Sequence, residues 1–395
     1  MKIAIVAPSP VPFVIGGAEN LWWGLLNEIN QHTPHQAELI KLPSPERNFA
    51  ELIASYRHFS QLDLDHFDLV ISTKYPAWMV RHDRHICYMQ HRLRGLYDTY
   101  HLMSLPDGYS AQHPDVLACQ QMMQHPDARR AMLPEFFDQL ATLLADPSVP
   151  AEILDFPGPF IREVIHFLDG IALTPNAIRR FAAISGTVAG RQNYFPATAQ
   201  VQIVNHPSNL SGFHCAGDDY LFTASRLDGA KRLKLLIEAM HLVKADIRLK
   251  IAGSGPDEEL LKQLASDDPR IEFLGFVNDC ALVDLYADAL AVPYLPYQED
   301  YGLVTIEAMM SGKPVLTVTD AGGPTEIVVD GTTGFIVPPS AAALAEKIDY
   351  LHEHRQECRR MGQEGLKRAQ SISWQKTVLA LLDTDDVARI NATDI

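Results

Sequence analysis

Two glutamates stand eight positions apart in the segment PYQEDYGLVTIEAMMSGKPV, Glu299 in a polar stretch and Glu307 among apolar residues. Leu303, Ile306 and Met310 recur at helical spacing, which predicts a helix from about Leu303. Gly312 is its stop and Pro314 blocks continuation. The amides of Gly302, Leu303 and Val304 open that helix, where they favour an anion. Glu307, in the second turn, points back toward the same end. Two carboxylates beside such a helix end suit a ligand carrying both hydroxyls and phosphate. The competing reading makes both acids solvated. Glu307 lies between Ile306 and Ala308, however, and a buried carboxylate requires partners.

Three further loops are expected at the same edge. SRLDGAK places Arg226 and Lys231 around a turn, where two cations can clamp a diphosphate; a solvated basic pair is the alternative. AGSGP offers Gly253 and Gly255 for close backbone approach, but no third glycine completes a dinucleotide fingerprint. AGGPTEIVVDGTTGF carries Gly322, Gly323 and Glu326 around a helix start. Near the amino terminus, Gly16 and Gly17 could admit a phosphate or sugar, or simply make a turn. His91 follows a predicted strand at His85 to Met89, with Arg92 and Arg94 beside it.

Apolar runs alternating with helical patterns must position these groups. KIAIVA, the prolines and glycines of Pro8 to Gly17, and the helical Ala18 to Asn30 read as entry to a doubly wound sheet. Strands are predicted at Ala289 to Val292 and Val315 to Val318, bracketing the helix that bears Glu307, so its loop lies at a ligand-binding sheet edge. The fold class is α/β, with two Rossmann-like domains. The first spans 1–205 and carries a proline-rich helical insertion at about 100–160, read either as substrate recognition or as an elaborate crossover. Helix is also expected from Ser185 to Phe195. A polar linker, Asn205 to Asp219, leads to a second domain at 206–375. A terminal helix within 376–395 is expected to pack back on the first domain, followed by a frayed acidic tail after Asp383.

Composition narrows the classes. With 395 residues, 47% hydrophobic and 21% charged, the chain is ordinary globular material for two domains. Its net charge of −16 argues against nucleic acid as a partner. The five cysteines form no C-x-x-C pair, which suits a reducing cytosol, and no H-E-x-x-H spacing marks a metal. The pairs Asp63/Asp65 and Asp383/Asp385 read as solvated. The opening apolar run is too short for a leader, and no run approaches the roughly 18 residues of a membrane span. A cytoplasmic location is expected, with peripheral contact at the inner membrane face left open.

The second half resembles the nucleotide-sugar-binding domain of family 4 retaining glycosyltransferases, which have the GT-B fold: two Rossmann-like domains, the first binding the acceptor, with parallel sheets facing across a cleft. The resemblance rests on SRLDGAKRLKLLIEA, AGSGPDEELL, FLGFVNDCALVDLYADA, PYQEDYGLVTIEAMMSGKPV, GGPTEIVVDGTTGFIVPP and a terminal SW, nearly all of 220–380, with the amino-terminal GGAE in addition. Arg232 departs from it, standing where many members have glycine, and the 100–160 insertion fits no general pattern of the family.

The resemblance implies a metal-independent, hexosyltransferase-type enzyme with no cofactor. It would move a sugar from a nucleotide-diphosphate donor to a glycan, lipid-linked or small-molecule acceptor with retained configuration, in polysaccharide or glycoconjugate biosynthesis. Arg226 and Lys231 would hold the diphosphate, with amides near Gly302 and Leu303 and glycines Gly16 or Gly17. Glu307 would take ribose hydroxyls and Glu299 donor-sugar hydroxyls. Backbone around Val277 would meet the base, and His91 would stand near the reacting sugar. A nucleotide-sugar epimerase or hydrolase on the same fold, and a non-catalytic binding protein, are the alternatives.

Overall fold

The computed structural model describes residues 1–12, 16–110, 112–125 and 129–382. The tail after Asp383, with the Asp383/Asp385 pair, lies outside the described residues. The chain divides into two compact units: Met1–Ile184, Val188–Val204 and the stretch from Val378 form one, Ser185–Thr187 and Asn205–Thr377 the other.

The first unit is a six-stranded parallel sheet. Chain order is β1 (Lys2–Ser9), α1 (Gly17–His32), β2 (Gln36–Pro43), α2 (Phe49–Ser60), β3 (Leu69–Ser72) and β4 (His85–Met89). The 100–160 region then supplies α3 (Pro114–Met123) and α4 (Leu133–Ala145). After it come α5 (Pro159–Ala172), β5 (Arg180–Ala183), α6 (Gly186–Ala189) and β6 (Val201–Ile203). Strands β3 and β4 are buried along their whole length, as continuous apolar runs covered on both faces must be. The spatial order is β2-β1-β3-β4-β5-β6. It reverses beside β1, between β2 and β3, which is the flavodoxin-type arrangement. The helix expected over Ser185 to Phe195 is cut to the four residues of α6; Asn193 takes a left-handed conformation at φ 62° and the chain turns instead.

The second unit is a six-stranded parallel sheet in the order β12-β11-β10-β7-β8-β9. Its elements are β7 (Tyr220–Ala224), α7 (Leu233–Met240), β8 (Arg248–Ala252), α8 (Glu258–Leu264), β9 (Ile271–Gly275) and α9 (Asp279–Ala287). They continue with β10 (Ala289–Pro293), α10 (Leu303–Met310), β11 (Val315–Val318), α11 (Gly323–Ile327) and β12 (Gly334–Val337). Helices α12 (Ala341–Glu353) and α13 (Arg355–Gln370) follow, and α14 (Trp374–Leu381) runs past the end of the unit. Counted from β7, this is the dinucleotide-fold order, reversing between β7 and β10. One core cluster joins Leu221, Leu249, Ile251, Leu290 and Leu316 of the sheet to Leu236 and Ile237 of α7 and Leu344 and Ile348 of α12. In the first unit, Arg180 at the start of β5 donates to the carbonyl of Leu381 (2.8 Å), tying down the last turn of α14. Among the described residues no helix is long and apolar enough to cross a membrane.

Candidate active site

The reversal between β7 and β10 opens a crevice at the carboxyl ends of the second sheet, and the loops after those two strands carry the acids and cations. The loop after β7 ends in a 3₁₀ turn, Gly229–Lys231. Lys231 Nζ reaches Glu299 Oε2 at 2.5 Å and Tyr294 Oη at 3.4 Å. Burial opposes its charge, but Tyr294 and Glu299 outweigh burial and raise its pKa. Lys231 is therefore a fixed cation. Arg226 differs: its side chain is 75% exposed and touches Asp228 only at 3.5 Å. The two cations are thus unequal, one enclosed beside Glu299 and one at the surface.

The AGSGP glycines bring backbone close to the chain itself. A Cβ on Gly253 would stand 1.9 Å from the carbonyl oxygen of Ser225, and one on Gly255 2.3 Å from that of Leu227. The loop holding Arg226 thus lies directly on the AGSGP turn, with Leu227 N donating to Ser254 O at 3.0 Å.

Glu299 is held by its backbone. Its amide donates to Ala321 O (2.8 Å), its carbonyl accepts from Gly323 N (2.9 Å), and it bridges Gly322. Arg232 secures the approach to it. In left-handed conformation (φ 51°), Arg232 sends its guanidinium to the carbonyls of Leu295 (2.8 Å) and Pro296 (2.6 Å) and to both oxygens of Asp320 (3.0 and 2.7 Å). Where glycine would be conformationally easy, this chain uses a forked cation to hold the loop between β10 and α10. The only sequence signal was the departure itself.

Helix α10 begins at Leu303, with Gly302 at φ 88° as its cap residue. A Cβ there would lie 2.8 Å from Pro324 Cγ as well as straining the backbone, so glycine is required. Among the described residues, the amides of Gly302, Leu303 and Val304 carry no hydrogen bond. Glu307 is 8% exposed, with Oε1 accepting from Ser208 Oγ (2.8 Å) and Oε2 from Tyr286 Oη (3.1 Å). Burial raises its pKa, partly offset by those two hydroxyls. Each oxygen retains a further lone-pair direction. Beside this helix end, Tyr301 Oη donates to His206 O at 2.8 Å, and the His206 ring lies against the rings of Tyr301 and Trp374. Burial lowers the His206 pKa to about 4.

The Glu326 carboxylate accepts from the amides of Gly186 (2.7 Å) and Thr187 (2.5 Å) and from the Thr187 hydroxyl (2.5 Å). Val277 sits after β9 at the same sheet edge, next to Phe276, which is 86% exposed.

Gly16, Gly17 and His91 belong to the first unit. Gly16 caps α1, its amide donating to Glu19 Oε2 at 3.0 Å, and Gly17 is the first residue of that helix. His91 Nδ1 donates to the Arg92 carbonyl (2.7 Å), leaving Nε2 as acceptor, and its ring meets Tyr75 edge-on. Burial first, then the nearby Lys74 cation, lower its pKa to about 3, so the ring is neutral. Behind it, fully buried Asp169 of α5 accepts from Tyr56 (3.0 Å), Trp78 (2.8 Å) and Tyr97 (2.7 Å), with Arg92 at 3.4 Å. This network fixes the residue next to His91. The available clue was an aspartate between Leu168 and Ile171 on an apolar helix.

One trio with metal-ligand chemistry occurs among the described residues: His113, Asp115 and Asp146, within 4.8 Å of one another. Both His113 nitrogens are already engaged, by the Asp115 amide and the Ser148 hydroxyl, and His113 caps the start of α3.

Residues 214–368 match the family model glycosyl transferases group 1, and this match supports that family for the second unit. A D-inositol 3-phosphate glycosyltransferase of Nocardia farcinica is 39% identical over 145 residues, covering 35% of this chain and 31% of the relative. The chain spans less than half the length of such curated relatives. Sucrose-phosphate synthase from Thermosynechococcus elongatus aligns over 100% of both chains with a TM-score of 0.63 at 16% identity. Anabaena HepE, solved in complex with UDP and glucose, aligns over 100% of both with a TM-score of 0.59 at 15% identity. At these identities the likeness is one of fold, the α/β GT-B class.

Proposed function

We propose that this chain is a retaining glycosyltransferase that moves a sugar from a nucleoside-diphosphate sugar to an acceptor hydroxyl. The supporting observation is the grouping, at the reversal point of the second sheet, of an enclosed lysine, the carboxylate beside it, a helix amino end with free amides, and a buried carboxylate one turn on. Lys231 and the α10 amides face the charge that develops on a departing diphosphate, and fixed dipoles and cations in an enclosed site need little reorganisation. Glu307 has lone pairs for ribose hydroxyls. Glu299 Oε1 accepts no hydrogen bond among the described residues and takes a sugar hydroxyl. In the first unit, neutral His91 serves as a hydrogen-bond partner to sugar, and Gly16 and Gly17 as phosphate contacts; that unit takes the acceptor. Arg226, being exposed, adds a mobile cation to the diphosphate site.

In the step, the bond from the anomeric carbon to the phosphate oxygen breaks and a bond to the acceptor oxygen forms on the same face. The acceptor proton passes to the departing phosphate. No enzyme carboxylate need act as strong base, because Glu299 is committed to Lys231 and Glu307 to Ser208 and Tyr286. The Lys231 cation and the helix dipole supply the positive charge, so a metal is not required by this scheme. The product is a polysaccharide or glycoconjugate.

The test is a thermal-shift screen of UDP-, GDP- and ADP-sugars, followed by product analysis with the stabilising donor, with and without EDTA. Stabilisation by one base class and a product of retained anomeric configuration are expected, with EDTA lacking effect. Inverted product, or stabilisation by none of the donors, overturns the proposal. Free sugar released without acceptor dependence, or an altered sugar still on the nucleotide, would replace it with a hydrolase or an epimerase.

A further inference from the structure

The first unit contains a hollow of about 880 Å³ at the edge of its sheet opposite His91. Residues Val80 to Asp83, just before β4, and Thr174, Asn176 and Ala177, just before β5, form one side. His91 follows β4, so the hollow lies at the amino ends of the strands. Met123, Phe167 and Ile171 make an apolar part of the wall, and Arg81, Arg129 and Arg130 supply the charge. A neighbouring hollow of about 510 Å³ shares Arg81 and Arg130. The volume falls in the range of small-molecule sites.

The charges are not balanced locally. The guanidinium of Arg130 donates to the carbonyls of Met79 (2.6 Å), Val80 (3.3 Å), Trp78 and Ala172 (both 3.5 Å), all neutral acceptors. Burial, and then Arg81, lower its pKa, which places Arg81 close enough to repel it. The side chains of Arg81 and Arg129 are exposed and form no hydrogen bond or ion pair among the described residues. Against these three cations the described wall offers a single carboxylate, Asp83. A solvated arginine on a convex surface needs no explanation. Three gathered around one concavity with an apolar side, in a chain of net charge −16, form a locally positive basin.

We propose that this hollow binds a phosphate-bearing ligand with an apolar body, the phosphate between Arg81 and Arg129 and the apolar part against Phe167 and Ile171. Arginine forks match phosphate oxygens, and Arg130, already tied to carbonyls, sets the floor potential. Two sources share this chemistry, a soluble alkyl phosphate and the headgroup region of an anionic phospholipid. The proposal stands apart from the glycosyl-transfer reading and does not use its residues.

Hydrogen exchange on the full chain tests it, read on peptides covering 80–84 and 170–177. The probes are hexyl phosphate, and vesicles of phosphatidylcholine with or without phosphatidic acid. Protection by hexyl phosphate, weakening as salt rises, identifies a soluble ligand; protection only by the phosphatidic acid vesicles identifies a headgroup. In either case Arg81→Ala/Arg129→Ala should weaken the response about tenfold, from loss of charge-assisted hydrogen bonds. The double lysine variant should retain part of it. Both side chains are exposed and support no other residue, so the fold should persist, and unchanged exchange over 226–231 checks that. Absence of protection with every probe, or equal protection in the alanine variant, overturns the proposal.

Discussion

Glu307→Gln separates a ligand role from a structural one. The carboxylate is 8% exposed and burial raises its pKa, while hydrogen bonds from Ser208 and Tyr286 draw it back. A group whose folded pKa lies above its unfolded value stabilises less once ionised: stability falls as pH climbs through that window and stays lower above it. Glutamine keeps the shape and removes the charge. Its carbonyl can accept from Tyr286. Its amide can donate to Ser208 Oγ, which also accepts from Leu210 N at 3.2 Å and is only half-buried, so its own proton can turn to water. Every buried group stays satisfied. The melting temperature at pH 7–8 should therefore equal or exceed that of the parent. Binding should move the other way. A hydrogen bond to a charged acceptor contributes about 1.5–3 kcal/mol, and one lone-pair direction becomes a donor, so nucleoside diphosphate should bind about 10- to 150-fold more weakly. Calorimetric titration with the diphosphate that the parent binds, together with scanning calorimetry from pH 5 to 8, reads both quantities. Affinity within threefold of the parent would refute the ribose assignment. A large fall in melting temperature at neutral pH would show instead that the charge is needed for folding.

Three other outcomes are expected. Arg232→Ala loses the fork to Leu295, Pro296 and Asp320 while keeping the left-handed strain, whereas Arg232→Gly loses the fork but relieves it. Urea denaturation should find the alanine variant less stable than the glycine variant by about 1 kcal/mol, and donor KM should rise in both; equal stabilities would refute the strain argument. Gly302→Ala forces a Cβ to 2.8 Å from Pro324 at φ 88°, so it should cost about 1–3 kcal/mol and shift the α10 amino end. Its donor affinity should fall more than its stability requires, and unaltered binding would count against the helix end as a phosphate site. Finally, burial lowers His85 and His91 to about 3 and His206 to about 4. Folded pKa values below the unfolded value mean stability is lost as pH falls below about 6.5, by roughly 1.4 kcal/mol per pH unit for each ring. Denaturation at pH 6.0, 5.5 and 5.0 should show stability falling with each step; no fall across that range would place these rings in water.

What could be read from residue order follows from local physics. The period of apolar residues located β10, β11 and the start of α10, because a strand covered on both faces must be a continuous apolar run and a helix must show its 3.6-residue stripe. Gly312 and Pro314 located the end of α10, since backbone preference is a property of single residues. Glu307 stood out because a carboxylate among apolar neighbours calls for partners, and the strength of that signal did not depend on knowing them. The helix expected from Ser185 to Phe195 stopped at Ala189, and the chain turned at a left-handed Asn193.

Tertiary structure decided what depends on residues far apart in the chain. The partners of Glu307 are Ser208 and Tyr286, and neither carries a mark of that role. Arg226 and Lys231 look alike in sequence, yet packing encloses one against Tyr294 and Glu299 and leaves the other in solvent. Asp169 collects its donors from three other parts of the first unit, and Arg81 meets Arg130 across forty-nine positions. The sheet orders, reversed at β1 in one unit and between β7 and β10 in the other, are equally silent in sequence, because a parallel strand reads the same wherever it is inserted. Those reversals set which loops become neighbours. In the second unit the pair is the loop ending at Lys231 and the loop bearing Glu299, and that adjacency turns two glutamates eight positions apart into one end of a charged site.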